Sequence, residues 1–179
     1  MGDTVILKKL AIDPFTSNCY IIGSELTKEG MIIDPGDETK EILKNIKDFG
    51  LDIKSIVVTH RHIDHIGALK ETQKATGAKA PIHSDDIDSL QRHSLSNVFG
   101  LYYPSPPTPD RLLEDGDRLN IGDLHFSDLH TLEHDPSDIY LPGPGIVFSG
   151  DALFNYSIGK YDLPNSDYHQ LMKSIHKSS

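Results

Sequence analysis

The segment Ser55-Ile56-Val57-Val58 is short, continuous and mostly β-branched, the pattern of a strand covered on both faces rather than one with a wet side. A strand buried twice needs a layer on each side of its sheet, so the chain has to build a stacked architecture of helices and strands. Directly after it the sequence reads Thr59-His60-Arg61-His62-Ile63-Asp64-His65, which puts three imidazoles and a carboxylate into a single turn's length of chain. In layered α/β architectures ligand sites gather at the carboxyl ends of the strands. Function is to be sought at this junction.

The remaining pattern changes period several times, as expected of mixed α and β structure. Residues 5–12, 19–22 and 31–33 are rich in β-branched side chains and separated by turn formers such as Asp13-Pro14 and Lys28-Glu29-Gly30, so they read as antiparallel strands. Residues 38–49 carry Ile42, Leu43, Ile46 and Phe49 at helical spacing, with Asp37 available as N-cap and Gly50 as the stop. A second helix is expected over 66–76, ended by Gly77, then a short strand over 80–83 and a helical turn over 85–90. Residues 100–110, GLYYPSPPTPD, are too dense in proline for a helix or a central strand and read as a stiff surface loop. Residues 119–130, 139–141 and 146–149 read as strands, and 167–177 as an amphipathic helix with Tyr168, Leu171, Met172 and Ile175 inward. With no internal repeat and no long linker, residues 1–179 are expected to form one domain of the α/β (α+β) class.

Composition narrows the function classes. A formal net charge of -10 repels phosphate backbones and anionic lipid, so neither nucleic acid nor a membrane surface is an expected partner. Cys19 is the sole cysteine, which excludes an intramolecular disulfide and a thiolate metal cluster and fits a reduced cytoplasmic setting. No apolar run reaches the roughly 18 residues of a membrane span, and the start MGDTVILKKL lacks the layout of a signal peptide. Imidazole nitrogen and carboxylate oxygen suit zinc foremost, and also iron or manganese. In an extended turn, alternate spacing lets His60 and His62 face one ion while Asp64 and His65 face another. A single histidine is usually structural, but a cluster this dense points to metal.

His60-x-His62-x-Asp64-His65 after a valine-rich strand resembles the signature of the metallo-β-lactamase superfamily, most closely its glyoxalase II-like (hydroxyacylglutathione hydrolase-like) members. The supporting pieces run in the family's order: Asn18-Cys19-Tyr20, Ile32-Ile33-Asp34-Pro35-Gly36, Phe148-Ser149-Gly150-Asp151-Ala152-Leu153-Phe154, and Gly159-Lys160-Tyr161-Asp162-Leu163-Pro164. The resemblance implies the αβ/βα sandwich, two mixed β-sheets face to face with helices outside. It further implies that His60, His62 and His134 hold a first ion, Asp64 and His65 a second, and that Asp151 bridges them. The implied activity is hydrolysis of a small-molecule thioester or related ester or lactone by a metal-bound hydroxide, with Asp64 and Asp151 in catalytic roles. Lys160 stands where relatives often carry arginine and is a candidate for a substrate carboxylate, while Tyr102 and Tyr103 are candidates to cover an acyl group.

The sequence departs from that family in two places. The loop carrying the third histidine reads His130-Thr131-Leu132-Glu133-His134-Asp135-Pro136-Ser137-Asp138, with Leu-Glu where Pro-Gly is usual, so its turn chemistry differs. The chain also ends at Ser179, before the strand and His-bearing turn that normally supply the last ligand. The resulting expectations are a weaker second metal site, a truncated or engineered member of impaired activity, and a homodimer formed through the uncovered sheet edge. Alternatives within the superfamily include a mononuclear-iron persulfide dioxygenase-like enzyme, and outside enzymology a metal-binding scaffold that works by assembly. His130-x-x-Glu133-His134 also spells the pattern of inverted zinc metallopeptidases, which requires 127–134 to be helical.

Overall fold

A computed structural model describes residues 5–12, 17–59, 63–84, 108–114, 116–127, 129–131, 138–143, 146–148, 153–154 and 157–158. Strands β1 (Val5–Ile12), β2 (Ser17–Ser24) and β3 (Glu29–Ile33) form an antiparallel meander, as their spacing predicts, with β2 and β3 longer than the apolar runs alone. Helix α1 (Thr39–Phe49) then crosses over, and β4 (Asp52–Val57) pairs parallel to β3. A parallel neighbour demands such a crossover.

Gly50 ends α1 as expected: at φ 65° it donates to Lys47 O at 3.1 Å while Leu51 N donates to Ile46 O at 3.0 Å. The start differs from expectation. Glu38, left-handed at φ 58°, is the N-cap, and the Asp37 carboxylate accepts the Glu38 N–H at 2.7 Å instead of reaching into the first turn.

The single helix expected over 66–76 is two, α2 (Ile63–Ile66) and α3 (Leu69–Thr76). In an uninterrupted helix the Ala68 N–H would bond the Asp64 carbonyl. Here Ala68 N donates to Pro35 O at 2.9 Å, and the Asp64 carbonyl accepts the Ser17 hydroxyl at 2.7 Å. Tertiary partners have taken both ends of one helical bond, and the helix breaks there. Gly77 then closes α3 in the left-handed region.

Beyond α3, Lys79 bridges to Ser55 and extends the sheet toward β5 (Pro81–His83), which pairs parallel with β6 (Arg111–Leu113). Strand β6 is too short to show in the sequence; Asp110 sets it by accepting the Ala80 N–H at 2.9 Å. The run 119–130 divides into β7 (Arg118–Ile121), β8 (Leu124–Ser127) and the start of β9 (Leu129–Thr131). Gly122, at φ 58°, and Asp123 form a two-residue hairpin between paired Ile121 and Leu124, so alternation continues through a reversal that periodicity alone does not reveal. Strand β10 (Asp138–Gly143) lies between β9 and β11 (Ile146–Phe148), both antiparallel, and β12 (Leu153–Phe154) pairs with β13 (Ser157–Ile158). The turn over 85–90, nearly all of the proline-rich loop and the helix over 167–177 lie outside the described residues.

Two apolar cores flank the first sheet. Ile21, Ile32 and Ile56 face α1 and α3 together with Ile42 and Leu69. Ile22, Met31, Ile33 and Val57 face the other way, against Leu119, Ile121, Leu124, Phe126 and Phe148 of the second strand layer. Tyr20 and Phe148 meet edge to face there, their centroids 5.2 Å apart. The carboxyl half of β4 is therefore covered on both sides, as its composition requires. Among the described residues no helix is long and apolar enough to cross a membrane. Ile56→Ala should cost about 2–5 kcal/mol of unfolding free energy in urea titrations, whereas Leu26→Ala, at an 82% exposed position, should change it by no more than about 0.5 kcal/mol.

Candidate metal centre

The parallel pairing of β3 and β4 brings the residues just past both strands together. Asp34 continues the ladder by donating its N–H to Val57 O at 3.0 Å. Its backbone then turns left-handed at φ 53°, a conformation aspartate tolerates better than most residues. This bend points a carboxylate, 2% exposed, across to the end of β4. Asp34 Oδ1 accepts the Thr59 N–H and Oδ2 the Thr59 hydroxyl, both at 2.7 Å.

The same Oδ2 lies 3.1 Å from His65 Nδ1. This contact orients the ring so that Nε2 points away from Asp34. That nitrogen stands 3.6 Å from Asp64 Oδ2. His65 is buried, and the Asp64 side chain is 26% exposed, so the nitrogen and oxygen donors meet at a partly open edge. Asp64 and His65 occupy a helical turn, α2, and not the extended turn anticipated from alternate spacing. Successive residues on a helix diverge by a fraction of a turn, and His65 turns inward to Asp34 while Asp64 stays toward solvent.

Three contacts fix α2 in place. Ser17 and Pro35 hold the bonds described above, and Gly36 packs so tightly that a Cβ there would lie 1.8 Å from the Asp64 carbonyl oxygen. Glycine is required at Gly36 for this close approach, although its backbone φ is ordinary. In the sequence Asp34 and Gly36 stand only within a resemblance and Thr59 beside the histidines, with no role assigned to any of them, and Ser17 is not singled out. An aspartate before Pro-Gly, one parallel strand away from a strand ending in threonine, is the signal that could have found them.

Cys19 is fully buried beneath this corner. Burial, reinforced by the negative charge of Asp34, pushes its thiol far above the ordinary range, so it cannot serve as a nucleophile near neutrality. Burial and the same carboxylate also raise the Tyr20 phenol.

Of the other candidates, His60, His62, His134, Asp151, Lys160, Tyr102 and Tyr103 lie outside the described residues. Among the described residues no three histidine, cysteine or acidic side chains converge on a point able to hold a metal ion. His130 lies on β9, so the helix demanded by the inverted metallopeptidase pattern does not form there.

A family profile for the metallo-beta-lactamase superfamily matches residues 12–179. The chain belongs to the metallo-β-lactamase superfamily. It is 33% identical over 175 residues to the probable metallo-hydrolase YqgX of Bacillus subtilis, covering 95% of this chain and 82% of that one. It is 31% identical over 172 residues to the hydroxyacylglutathione hydrolase GloC of Haemophilus influenzae, covering 93% and 80%. A solved structure, TTHA1623 in a di-iron-bound form, superposes with a TM-score of 0.81 at 34% identity, covering 95% of this chain and 84% of that one. The fold is thus the αβ/βα sandwich of the superfamily, and the protein is a metal-dependent hydrolase acting on small molecules.

Gly36→Ala should lower stability by about 1–3 kcal/mol, because backbone rather than a flexible side chain must yield; equilibrium unfolding measures it. Cys19 should resist an aromatic disulfide reagent until the protein unfolds. Because the folded thiol ionises only well above its unfolded value of 9.0, its contribution to stability is intact below that pH. It is lost as pH rises beyond it, which thermal melts between neutrality and pH 10 should record as a fall in Tm.

Proposed function

We propose that this hydrolase cleaves a thioester of the hydroxyacylglutathione type, with related esters or lactones as weaker substrates. The observation that carries the proposal is the chain Thr59, Asp34, His65, Asp64, in which a buried carboxylate lies against one nitrogen of an imidazole whose other nitrogen is 3.6 Å from a second carboxylate. One nitrogen and one oxygen donor, positioned from behind, fit a divalent zinc, iron or manganese ion. The similarity to a hydroxyacylglutathione hydrolase supports the substrate class.

In this proposal Asp64 and His65 would hold one ion and His60, His62 and His134 another, with Asp151 a ligand shared by both. When bound, such ions polarise a carbonyl and bring the pKa of water toward neutrality. The remaining work falls to the chain itself. Asp34 keeps Nε2 of His65 presented by fixing Nδ1, and Thr59 saturates the rest of that carboxylate so that it does not rotate. Ser17 and Gly36 hold the backbone of Asp64 where its side chain faces the open edge. Asp64 would also orient the attacking water by accepting a hydrogen bond from it. Lys160 binds a substrate carboxylate, and Tyr102 and Tyr103 cover the acyl group. The cytoplasm is the expected compartment, on the strength of the single reduced cysteine.

Asp64→Ala should reduce thioester turnover at least about a hundredfold while leaving the unfolding midpoint near that of the parent. Turnover that survives the substitution, or a metal-loaded chain inert toward thioesters, overturns the reading. Asp34→Asn should weaken metal retention about 10–100-fold in competition with a chelator, and elemental analysis of both variants supplies the metal content per chain.

A further inference from the structure

The start of β2 is anchored at the metal corner, because the Ser17 hydroxyl holds the Asp64 carbonyl. Side chains then alternate along the strand. Cys19 and Ile21 lie in the core beneath the helices, whereas Ile22 lies in the core between the two strand layers with Tyr20 packed against it. Asn18 and Tyr20 therefore share the interlayer face, at the end of β2 nearest the metal corner. Tyr20 pairs with Ile33, the residue before Asp34, in a row that continues to Val57, two residues before Thr59.

Both side chains are half-buried, and neither the Asn18 amide nor the Tyr20 phenol has a hydrogen-bond partner among the described residues. The Tyr20 ring is nonetheless held. It meets Phe148 edge to face at 5.2 Å, and Phe148 in turn packs on Phe126 at 6.5 Å inside the core. A ring fixed by packing has already lost its rotamer freedom, so its hydroxyl meets a ligand at little further entropic cost. Burial, and after it the charge of Asp34, raises the phenol above its ordinary range, so it is a donor at neutrality. Asn18 adds N–H donors and a carbonyl acceptor about 7 Å along the strand toward Ser17.

Resting on the thioester reading above, we infer that Tyr20 and Asn18 are specificity-determining residues that recognise a hydroxyl group on the acyl part of the substrate. The scissile carbonyl belongs at the metal corner, so the groups beside that corner meet the atoms next to the carbonyl. Both side chains are uncharged, which suits a neutral substituent better than a carboxylate. A hydroxyl donates and accepts at once, and so serves both a phenol and an amide. An acyl chain without that oxygen displaces water from these groups and gives nothing back.

The test compares kcat/KM of the metal-loaded protein for a 2-hydroxyacyl thioester and for the same thioester lacking that hydroxyl. The parent should favour the hydroxyacyl substrate at least about tenfold. Tyr20→Phe, which keeps the ring and its contact with Phe148, should reduce that preference at least about fivefold, and Asn18→Ala at least about twofold. Lost stability or lost metal in a variant affects both substrates alike and cancels in the ratio, so a merely structural role leaves the preference where it was. Tyr20→Phe deletes an oxygen without a protein partner and should fold as the parent does. A parent without the preference, or a preference intact in either variant, overturns the inference while the thioester reading stands. A parent inert toward both thioesters overturns that reading and the inference with it.

Discussion

The buried carboxylate of Asp34 is the interaction on which the rest of the metal corner depends. It is desolvated, so leaving any of its oxygens unmet would be costly, and each is met: the Thr59 amide and hydroxyl and the imidazole of His65 surround it. Those partners belong to a strand end and a helical turn distant from one another in contact pattern. Satisfying one aspartate thereby positions the end of β4 relative to α2. The left-handed backbone at Asp34 is strain that this network sustains.

The second constraint is the doubly covered sheet. Parallel registration of Ile32 with Ile56 and Ile33 with Val57 sends one isoleucine pair toward the helices and the next pair toward the opposing strands. This alternation makes β4 rigid on both faces, so the residues immediately after it start from a fixed point. The break between α2 and α3 serves the same end. A continuous helix would have kept the Asp64 carbonyl for Ala68; Ser17 and Pro35 instead secure α2 to β2 and to the turn after β3.

Much of this was legible beforehand where a local pattern dominates. The first three strands, α1 with its Gly50 stop and the doubly buried strand follow from period and turn residues, and the superfamily follows from the motif at His60 to His65. The misses share a cause. Glu38 replaces Asp37 as cap, Gly122 and Asp123 fold one apolar run into a hairpin, and Gly67 and Ala68 divide a helix, each because a backbone group found a partner or a reversal that short-range periodicity does not encode. Burial beside a negative charge leaves Cys19 chemically idle, which its place in the sequence alone does not show.

The sequence by itself determined the layered α/β class, the donor types at the strand end and the family, because periodicity and ligand chemistry are properties of neighbouring residues. Only the tertiary structure decided that Asp34 stands behind His65, that Gly36 must lack a side chain, and that Ser17 holds the Asp64 carbonyl. These depend on which strands pair and in what register, and a parallel pairing joined by a helix brings together groups that no local pattern relates.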